Sequence, residues 1–139
     1  MSSHDAITIY ADGGARGNPG PAAIGAVVID PTTDPPTRLA TVSERIGVAT
    51  NNVAEYRAVI AGLEAARPYD ARVVHLRADS MLVIRQLEGV WRVKQPHLGP
   101  LHAEATALLA GYEVVDLAHV PREQNTDADL LVNAALDQG

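Results

Sequence analysis

The 139-residue sequence contains no cysteine and no phenylalanine, and it has a single tryptophan. The lack of cysteine excludes disulfides, thiolate zinc sites and cysteine nucleophiles. No apolar run approaches the ~18 residues that a membrane-spanning helix needs. The first ten residues, MSSHDAITIY, lack the basic and then apolar build of a secretory signal peptide. We therefore expect a soluble, cytoplasmic protein with no membrane partner.

Basic residues are also scarce, since eleven Lys and Arg face seventeen Asp and Glu, for a formal net charge of −6. A protein that binds nucleic acid through its phosphates normally has a basic face. The composition therefore disfavours a nucleic-acid partner, unless cations neutralise a carboxylate cluster or the basic groups lie together on one side. The hydrophobic content of 47% is that of a globular protein, and the length predicts a single domain over residues 1–139.

The order of predicted elements indicates an α/β protein. Alternating or β-branched segments predict strands at 6–11, 22–29 and 38–48, joined by short turns as in an antiparallel meander. The apolar spacing then changes to three and four residues, which predicts a helix ending near Pro68. Further strands are predicted at 72–78 and 113–120, helices at 80–87, 102–110 and 127–136, and a loop at 89–100. This order implies a mixed sheet with helices packed on it.

Four acidic residues fall at the ends of these elements. Asp12 and Asp79 each follow a predicted strand, Glu55 lies in the first turn of the long helix, and Asp129 opens the last helix. Side chains at neighbouring strand ends can meet at one edge of a sheet, where active sites of open α/β sheets lie. Oxygen ligands without His or Cys suit Mg²⁺ or Mn²⁺ rather than zinc. Two such ions ~4 Å apart can activate a water and stabilise a leaving oxygen in phosphodiester hydrolysis.

Each carboxylate also has a purely structural explanation. The alternatives are a turn at Asp12-Gly13, capping boxes at 52–55 and 126–129, and a helix cap at Asp79. Only the joint placement of the four residues favours a site.

Four segments around these residues carry a family resemblance. In chain order they are DGGARGNPGPA, TNNVAEYRA, ADSMLVIRQL and NTDADLLVNAAL. Together they resemble the four blocks of type I ribonuclease H, over about Ile7 to Leu136. The segments GVWRVKQP and HVPREQN are most similar to the short bacterial and archaeal branch. The N-terminal domain of actinobacterial bifunctional ribonuclease H/phosphatase proteins is similar as well.

The resemblance implies a ribonuclease H-like fold, with a five-stranded mixed sheet of order 3-2-1-4-5 flanked by helices. It implies endonucleolytic hydrolysis of the RNA strand of RNA–DNA hybrids with two Mg²⁺ ions, or Mn²⁺, leaving 5′-phosphate and 3′-hydroxyl ends. A monomer is expected, with an attached or partner domain as a possible aid to substrate binding. The catalytic and metal-binding positions are Asp12, Glu55, Asp79 and Asp129. Asp127 competes for the fourth position, and the Asn-x-x-x-Asp spacing from Asn125 favours Asp129.

The same blocks imply which residues bind the hybrid. Asn18, Asn51 and Asn52 match positions that contact the minor groove, and Thr50 matches one that holds a DNA-strand phosphate. The predicted substrate-binding set is Gly13, Asn18, Thr50, Asn51, Asn52 and Asn125. A tight turn at Asn18 and a helix cap at Asn51-Asn52 are the structural alternatives. Basic side chains predicted near this edge are Arg16, Arg85, Arg92, Lys94 and Arg122.

Two features of the family are missing from the sequence. The loop before the last helix, VPREQN, has no histidine, and His119 is expected to be a packed strand residue. The basic protrusion is reduced to Trp91, Arg92 and Lys94, and Trp91 is either a stacking group or a core or rim anchor. A binding module of the same fold without cleavage is the alternative function. A dinucleotide site is disfavoured because DGGARGNPGP does not fit G-x-G-x-x-G.

Overall fold

The computed structural model describes residues 4–138 and forms a five-stranded sheet of order β3-β2-β1-β4-β5. The strands are β1 (Ala6–Ala15), β2 (Gly20–Asp30), β3 (Thr37–Ala49), β4 (Val73–Ala78) and β5 (Val114–His119). The first three strands pair antiparallel, and β4 pairs parallel with both β1 and β5. The predicted α/β class, mixed sheet and strand order are confirmed.

Four α-helices and three short 3₁₀ helices accompany the strands within the described range. The α-helices are α1 (Asn51–Ala66), α2 (Met81–Leu87), α3 (Gly99–Leu109) and α4 (Thr126–Asp137). The 3₁₀ helices are Arg67–Tyr69, Pro96–Leu98 and Arg122–Gln124. No helix of residues 4–138 combines the length and the hydropathy that crossing a bilayer would need.

Helices α1 and α4 pack on opposite faces of the sheet. Successive residues of a strand point to opposite faces, and Gly13 faces Ala54 of α1 while Gly14 faces Val132 of α4. The α1 side holds the main apolar core, in which Ile9, Tyr56 and other side chains are fully buried. A smaller cluster of Ala23, Val132 and Ala135 lies under α4. The C-terminal end of β1 is therefore enclosed between the two helices.

The first strand is longer than predicted, and this corrects the placement of Asp12. Instead of following a strand that ends at Ala11, Asp12 lies within β1 and is paired with Gly25 of β2. Pairing continues to Ala15, and the loop closes with a bond of 2.8 Å from the Arg16 amide to the Pro21 carbonyl. The Asp-Gly pair therefore forms no turn, because the backbone groups at this position are used by the ladder with β2.

The third helix begins earlier than predicted. It starts at Gly99 rather than at 102, so the predicted loop of 89–100 is shorter and contains a 3₁₀ turn. Pro100 lies in the first turn of α3, where a proline costs no intrahelical hydrogen bond. The other element boundaries differ from the prediction by a few residues, which is the usual uncertainty at element ends.

Candidate active site

The strand register brings two of the acidic residues together. Parallel pairing matches Ala11 of β1 with Ala78 of β4, so the next residues, Asp12 and Asp79, emerge side by side at the same edge of the sheet. His119, the last residue of β5, is paired with Ala78 and therefore lies one residue before this row. The chain leaves β4 at this point, and Ser80 begins α2 as its N-cap.

Glu55 reaches this edge from α1, where it is the fifth residue and lies just after the first turn in which it was predicted. Its Oε1 accepts a hydrogen bond of 2.5 Å from the Gly13 amide. A Cβ at Gly13 would lie 2.1 Å from the Ala54 carbonyl oxygen and 2.7 Å from the Glu55 amide nitrogen. Only glycine therefore lets α1 approach β1 this closely. The contact fixes the Glu55 carboxylate next to Asp12.

Three carboxylates form one cluster. Asp12, Glu55 and Asp79 each offer an oxygen atom, and these atoms all lie within 4.8 Å of one another. Asp12 is buried, with 8% of its surface exposed, while the other two are partly buried. Like charges this close repel strongly in a region of low dielectric. The cluster has the donor set that a hard divalent cation prefers, carboxylate oxygens without nitrogen or sulfur.

Asp129 borders the cluster from the first turn of α4. It lines the same cavity, and the charge of its carboxylate helps to raise the pKa of Asp12. The competing Asp127 instead points to an exposed ion pair with Arg38, at 3.2 Å. The structure therefore places Asp129, and not Asp127, beside the other three carboxylates.

The electrostatics of the cluster favour the protonated forms of Asp12 and Glu55. Burial raises the pKa of Asp12 to about 7, with added repulsion from Asp79 and Asp129 and an opposing hydrogen bond with Glu55. Burial also raises the pKa of Glu55 well above its ordinary value, and the charge of Asp12 adds to this, while the Gly13 amide opposes it. Raised pKa values with these causes are typical of functional sites.

The structural alternatives for the carboxylates are not realised. Helix α1 is capped by Thr50, whose Oγ1 accepts from the Val53 amide at 3.3 Å, so Asn52 and Glu55 form no capping box. The Ser80 hydroxyl, rather than Asp79, caps α2. Helix α4 has no side-chain cap at all, which leaves no capping box at 126–129.

The predicted substrate residues around the cluster fall into two groups. Asn18 and Asn51 form an exposed junction, in which the Asn51 amide donates to Asn18 Oδ1 at 3.0 Å and the Ala15 amide donates to Asn51 Oδ1 at 2.9 Å. Gly13 and Asn52 line the cavity with Asn51. Asn125 differs from these residues. It is 1% exposed, so its side chain cannot contact a duplex that rests on this surface, and its predicted substrate contact needs correction.

The cavity over the cluster also contains groups that the sequence indicated weakly. Its volume is about 590 Å³, and His119, Arg16 and Arg122 contribute to its wall. His119 was expected to be a packed strand residue, but it is partly exposed and faces this cavity. The signal for this placement is the pairing of His119 with Ala78, the residue before Asp79, and it can be recognised only once the strand order is known.

A second surface groove begins at the end of α2. It is about 480 Å³ in volume and is lined by Trp91, Arg92 and Lys94 among others. Trp91 is 44% exposed, so of the readings from sequence a core anchor is wrong. Gln86, which is buried, donates to the Arg92 carbonyl at 3.3 Å and accepts from the Tyr56 hydroxyl at 2.5 Å. Arg85 forms an ion pair with Glu88 at 2.8 Å and is not among the residues that line the cavity or the second groove.

Comparison with known proteins assigns a family to this arrangement. The profile of the family described as "Reverse transcriptase-like" matches residues 10–135. The structure of the N-terminal RNase H domain of Rv2228c from Mycobacterium tuberculosis is 48% identical, with a TM-score of 0.90 over 95% of this chain and 99% of that one. The RNase H1 of the archaeon Halobacterium salinarum is 43% identical, with a TM-score of 0.90 over 96% and 99% of the two chains.

A third structure holds a nucleic acid. LC11-RNase H1 in complex with an RNA/DNA hybrid is 43% identical, with a TM-score of 0.85 over 95% of this chain and 97% of that one. The full curated protein Rv2228c is called bifunctional and is 49% identical over 131 residues. The chain spans 35% of that relative's length, and 64% of the length of the curated Halobacterium protein, Ribonuclease HI, which is 45% identical.

Proposed function

The chain belongs to the type I ribonuclease H family, and on this premise we propose that it hydrolyses the RNA strand of RNA–DNA hybrids. Cleavage is endonucleolytic, depends on two Mg²⁺ ions with Mn²⁺ as a substitute, and leaves 5′-phosphate and 3′-hydroxyl ends. The observation that carries the proposal is the convergence of carboxylate oxygens from Asp12, Glu55 and Asp79 within 4.8 Å. We further propose that residues 1–139 act as one domain, as a cytoplasmic monomer.

The residues at the cluster fit a pair of divalent cations. Asp12, Glu55, Asp79 and Asp129 would hold them, because four carboxylates supply oxygen ligands from two strands and two helices that converge on one cavity. Bound cations supply charge compensation at the scissile phosphate and lower the pKa of a coordinated water. Hydrolysis then forms a bond from the water oxygen to phosphorus and breaks the bond to O3′, which leaves as the hydroxyl after gaining a proton.

The protein's own groups orient the reactants. The Gly13–Glu55 hydrogen bond holds Glu55 in one position, and the ladder with β2 fixes the backbone of Asp12. Preorganised charges of this kind need no rearrangement as the reaction proceeds. His119 and Arg122 face the same cavity, where His119 is a candidate to deliver a proton and Arg122 to bind a phosphate oxygen. With these groups in place, the proposed hydrolysis needs no nucleophile from the protein.

Recognition of the hybrid is proposed for the asparagine junction. RNA differs from DNA by its 2′-hydroxyls, which are displayed in the shallow minor groove of a hybrid. The Asn18 and Asn51 side-chain oxygens are used within the protein, and their NH₂ groups have no partner within residues 4–138. Those groups can donate to acceptors of the minor groove. Thr50, which caps α1, and Asn52 flank the junction.

The surface charge sets a limit on affinity. The protein carries a net charge of −6, so repulsion of phosphates is offset only locally, by Arg16 and Arg122 at the cavity and by Arg92 and Lys94 at the second groove. Exposed Trp91 supplies a flat ring beside those two cations. We propose modest, salt-sensitive binding, which an attached or partner domain would strengthen.

The experiment for the proposed function compares three duplexes of one sequence. Labelled RNA–DNA hybrid, double-stranded RNA and double-stranded DNA are each incubated with Mg²⁺, Mn²⁺ or chelator, and the product ends are mapped. We expect cleavage of the RNA in the hybrid only, with 5′-phosphate and 3′-hydroxyl ends, and no cleavage with chelator or by Asp79→Asn. Tight hybrid binding without cleavage would indicate a binding module, and equal cleavage of all three duplexes would indicate another nuclease.

A further inference from the structure

Asn125 occupies an unusual position at the start of α4. It is the N-cap residue, and asparagine is among the preferred residues there because its side-chain oxygen can accept from an amide of the first turn. In this protein the Asn125 side chain makes no such bond. Its Oδ1 is buried and has no hydrogen-bond partner within the described residues 4–138. Asn125 therefore does not cap α4 with its side chain, although its residue type and position favour that role.

The amide group of Asn125 is used on the sheet instead. Its Nδ2 donates to the Ala11 carbonyl oxygen at 2.9 Å, in a buried bond between positions 114 residues apart. Ala11 directly precedes Asp12 in β1. The Asn125 carbonyl oxygen in turn accepts from the Asp129 amide at 3.1 Å. One buried residue is thus bonded next to Asp12 by its side chain and to Asp129 by its backbone.

This double attachment explains why the capping bond is absent. A side chain that caps α4 stabilises only the helix itself, whereas one that donates to β1 fixes where the helix begins relative to the strand. Departures from local preference concentrate at functional sites. Resting on the proposed function, we infer that Asn125 is a positioning residue, which holds the Asp129 carboxylate at the distance from Asp12 that the cation pair requires. This role replaces the substrate contact predicted from the sequence.

The inference separates catalysis from substrate binding. Without the donor, the start of α4 is free to shift against β1, and Asp129 moves with it. Displacement of a reacting or binding group by about 1 Å can cost on the order of 10²-fold in rate. The KM for the hybrid stays unchanged, because the Asn125 side chain is buried and touches no surface that the duplex can reach.

The test uses Asn125→Leu, which keeps the approximate shape, removes the donor and adds no charge. We expect kcat to fall by about tenfold or more, the KM for the hybrid to stay within about twofold, and Mn²⁺ affinity measured by calorimetry to fall. Asn125→Ala carries the same expectations if the leucine variant does not fold. The matched control is Ser43→Ala, since Ser43 Oγ donates to the Leu131 carbonyl at 2.7 Å and also ties α4 to the sheet, but at β3. The control should keep wild-type kcat and Mn²⁺ affinity.

A double-mutant cycle with Asp129→Asn identifies the route of the effect. If Asn125 acts through Asp129, Asn125→Leu changes kcat and Mn²⁺ affinity little once Asp129 is replaced, so the two losses are strongly non-additive. Fully additive losses would contradict the inference, as would wild-type Mn²⁺ affinity in Asn125→Leu or a raised KM with unchanged kcat. A wild-type protein that cleaves no hybrid would overturn the proposed function alone, because Mn²⁺ affinity across the same variants still decides the role of Asn125.

Discussion

The Gly13 amide donates to Glu55 Oε1 at 2.5 Å across a gap between β1 and α1 that leaves no room for a side chain at residue 13. The neighbouring glycine is different, since a Cβ at Gly14 would have its nearest contact at 3.9 Å, with Val132 Cγ1. Alanine variants of the two adjacent glycines therefore distinguish the effect of close packing at the cluster from the general effect of adding a methyl group to β1.

We expect Gly13→Ala to lower both stability and activity. The new methyl group would force α1 away from β1, with a cost of about 1–3 kcal/mol in the free energy of unfolding, and Glu55 would move away from Asp12. Urea unfolding and hybrid cleavage by the purified variant measure the two effects. Gly14→Ala is the control and should behave like wild type. Similar losses in both variants would show that close packing at residue 13 has no special importance.

The raised pKa values predict how the stability of the metal-free protein depends on pH. The pKa of Asp12 is about 7 in the folded state against an ordinary value of 3.8, so the folded state binds more protons between these values. The contribution of Asp12 to the free energy of unfolding is therefore fully present below pH 3.8 and is lost as the pH rises through about 7. Asp30 and Asp116 have lowered pKa values, for which hydrogen bonds from Thr32 and Arg77 respectively are the largest cause, so their opposite effect lies below pH ~4.

Urea unfolding in chelator at pH 5 and pH 8 tests this pH dependence. We expect the wild-type protein to be less stable at pH 8, and Asp12→Asn to reduce the difference. Added Mg²⁺ should also reduce it, because the cation competes with the protons for the same carboxylates. Stability that rises from pH 5 to pH 8 in chelator would mean that the carboxylates are not buried together as described.

The two acidic residues at the start of α4 should behave differently. Asp129→Asn is expected to lower cleavage by at least about tenfold, as for loss of a group that supports a metal site. Asp127→Asn removes only an exposed ion pair with Arg38, which is worth about 0–1 kcal/mol. Initial rates at saturating Mg²⁺ compare the two variants directly. A larger loss in Asp127→Asn would restore the competing assignment of the fourth carboxylate.

Hybrid binding should be strongly salt-dependent, and part of this dependence should come from the second groove. Each phosphate contact adds about 0.9 to the slope of log affinity against log salt for a B-form duplex. Arg92→Gln and Lys94→Gln are each expected to lower that slope by about one. Arg67→Gln is the control, since Arg67 follows the C-terminal end of α1, about 20 Å along the helix from Glu55. The slopes are measured by fluorescence anisotropy between about 50 and 200 mM salt. All variants carry Asp79→Asn as well, so that the hybrid is not cleaved. An unchanged slope in both variants would exclude contact at this groove.

The fold and the meeting of Asp12 with Asp79 were predictable because they depend on strand order. Once β1 and β4 are parallel neighbours, residues that follow matched positions emerge together, as Asp12 and Asp79 do. The start of α3 was not predictable, since a proline such as Pro100 is typical of a loop and also fits a first helical turn. His119 was expected to be packed because the strand was predicted to continue to Val120, whereas β5 ends at His119 itself.

The role of Asn125 could not be read from the sequence for a different reason. Asparagine at a helix start predicts a cap, a substrate amide or a tether equally well, because one side chain supplies both a donor and an acceptor. Only the long-range bond to Ala11 distinguishes these roles. Local residue preferences cannot contain information about a partner 114 positions away.

The carboxylates of Asp12, Glu55 and Asp79 at this edge of the sheet are proposed to hold divalent cations. Counting Mn²⁺ ions bound to a complex of the protein with a hybrid that carries a non-hydrolysable phosphate analogue, by electron paramagnetic resonance, tests it most directly. The account predicts two ions per complex for the wild type and fewer for Asp79→Asn with its fold intact. Equal Mn²⁺ binding by the two proteins, or none by the wild type, would contradict it.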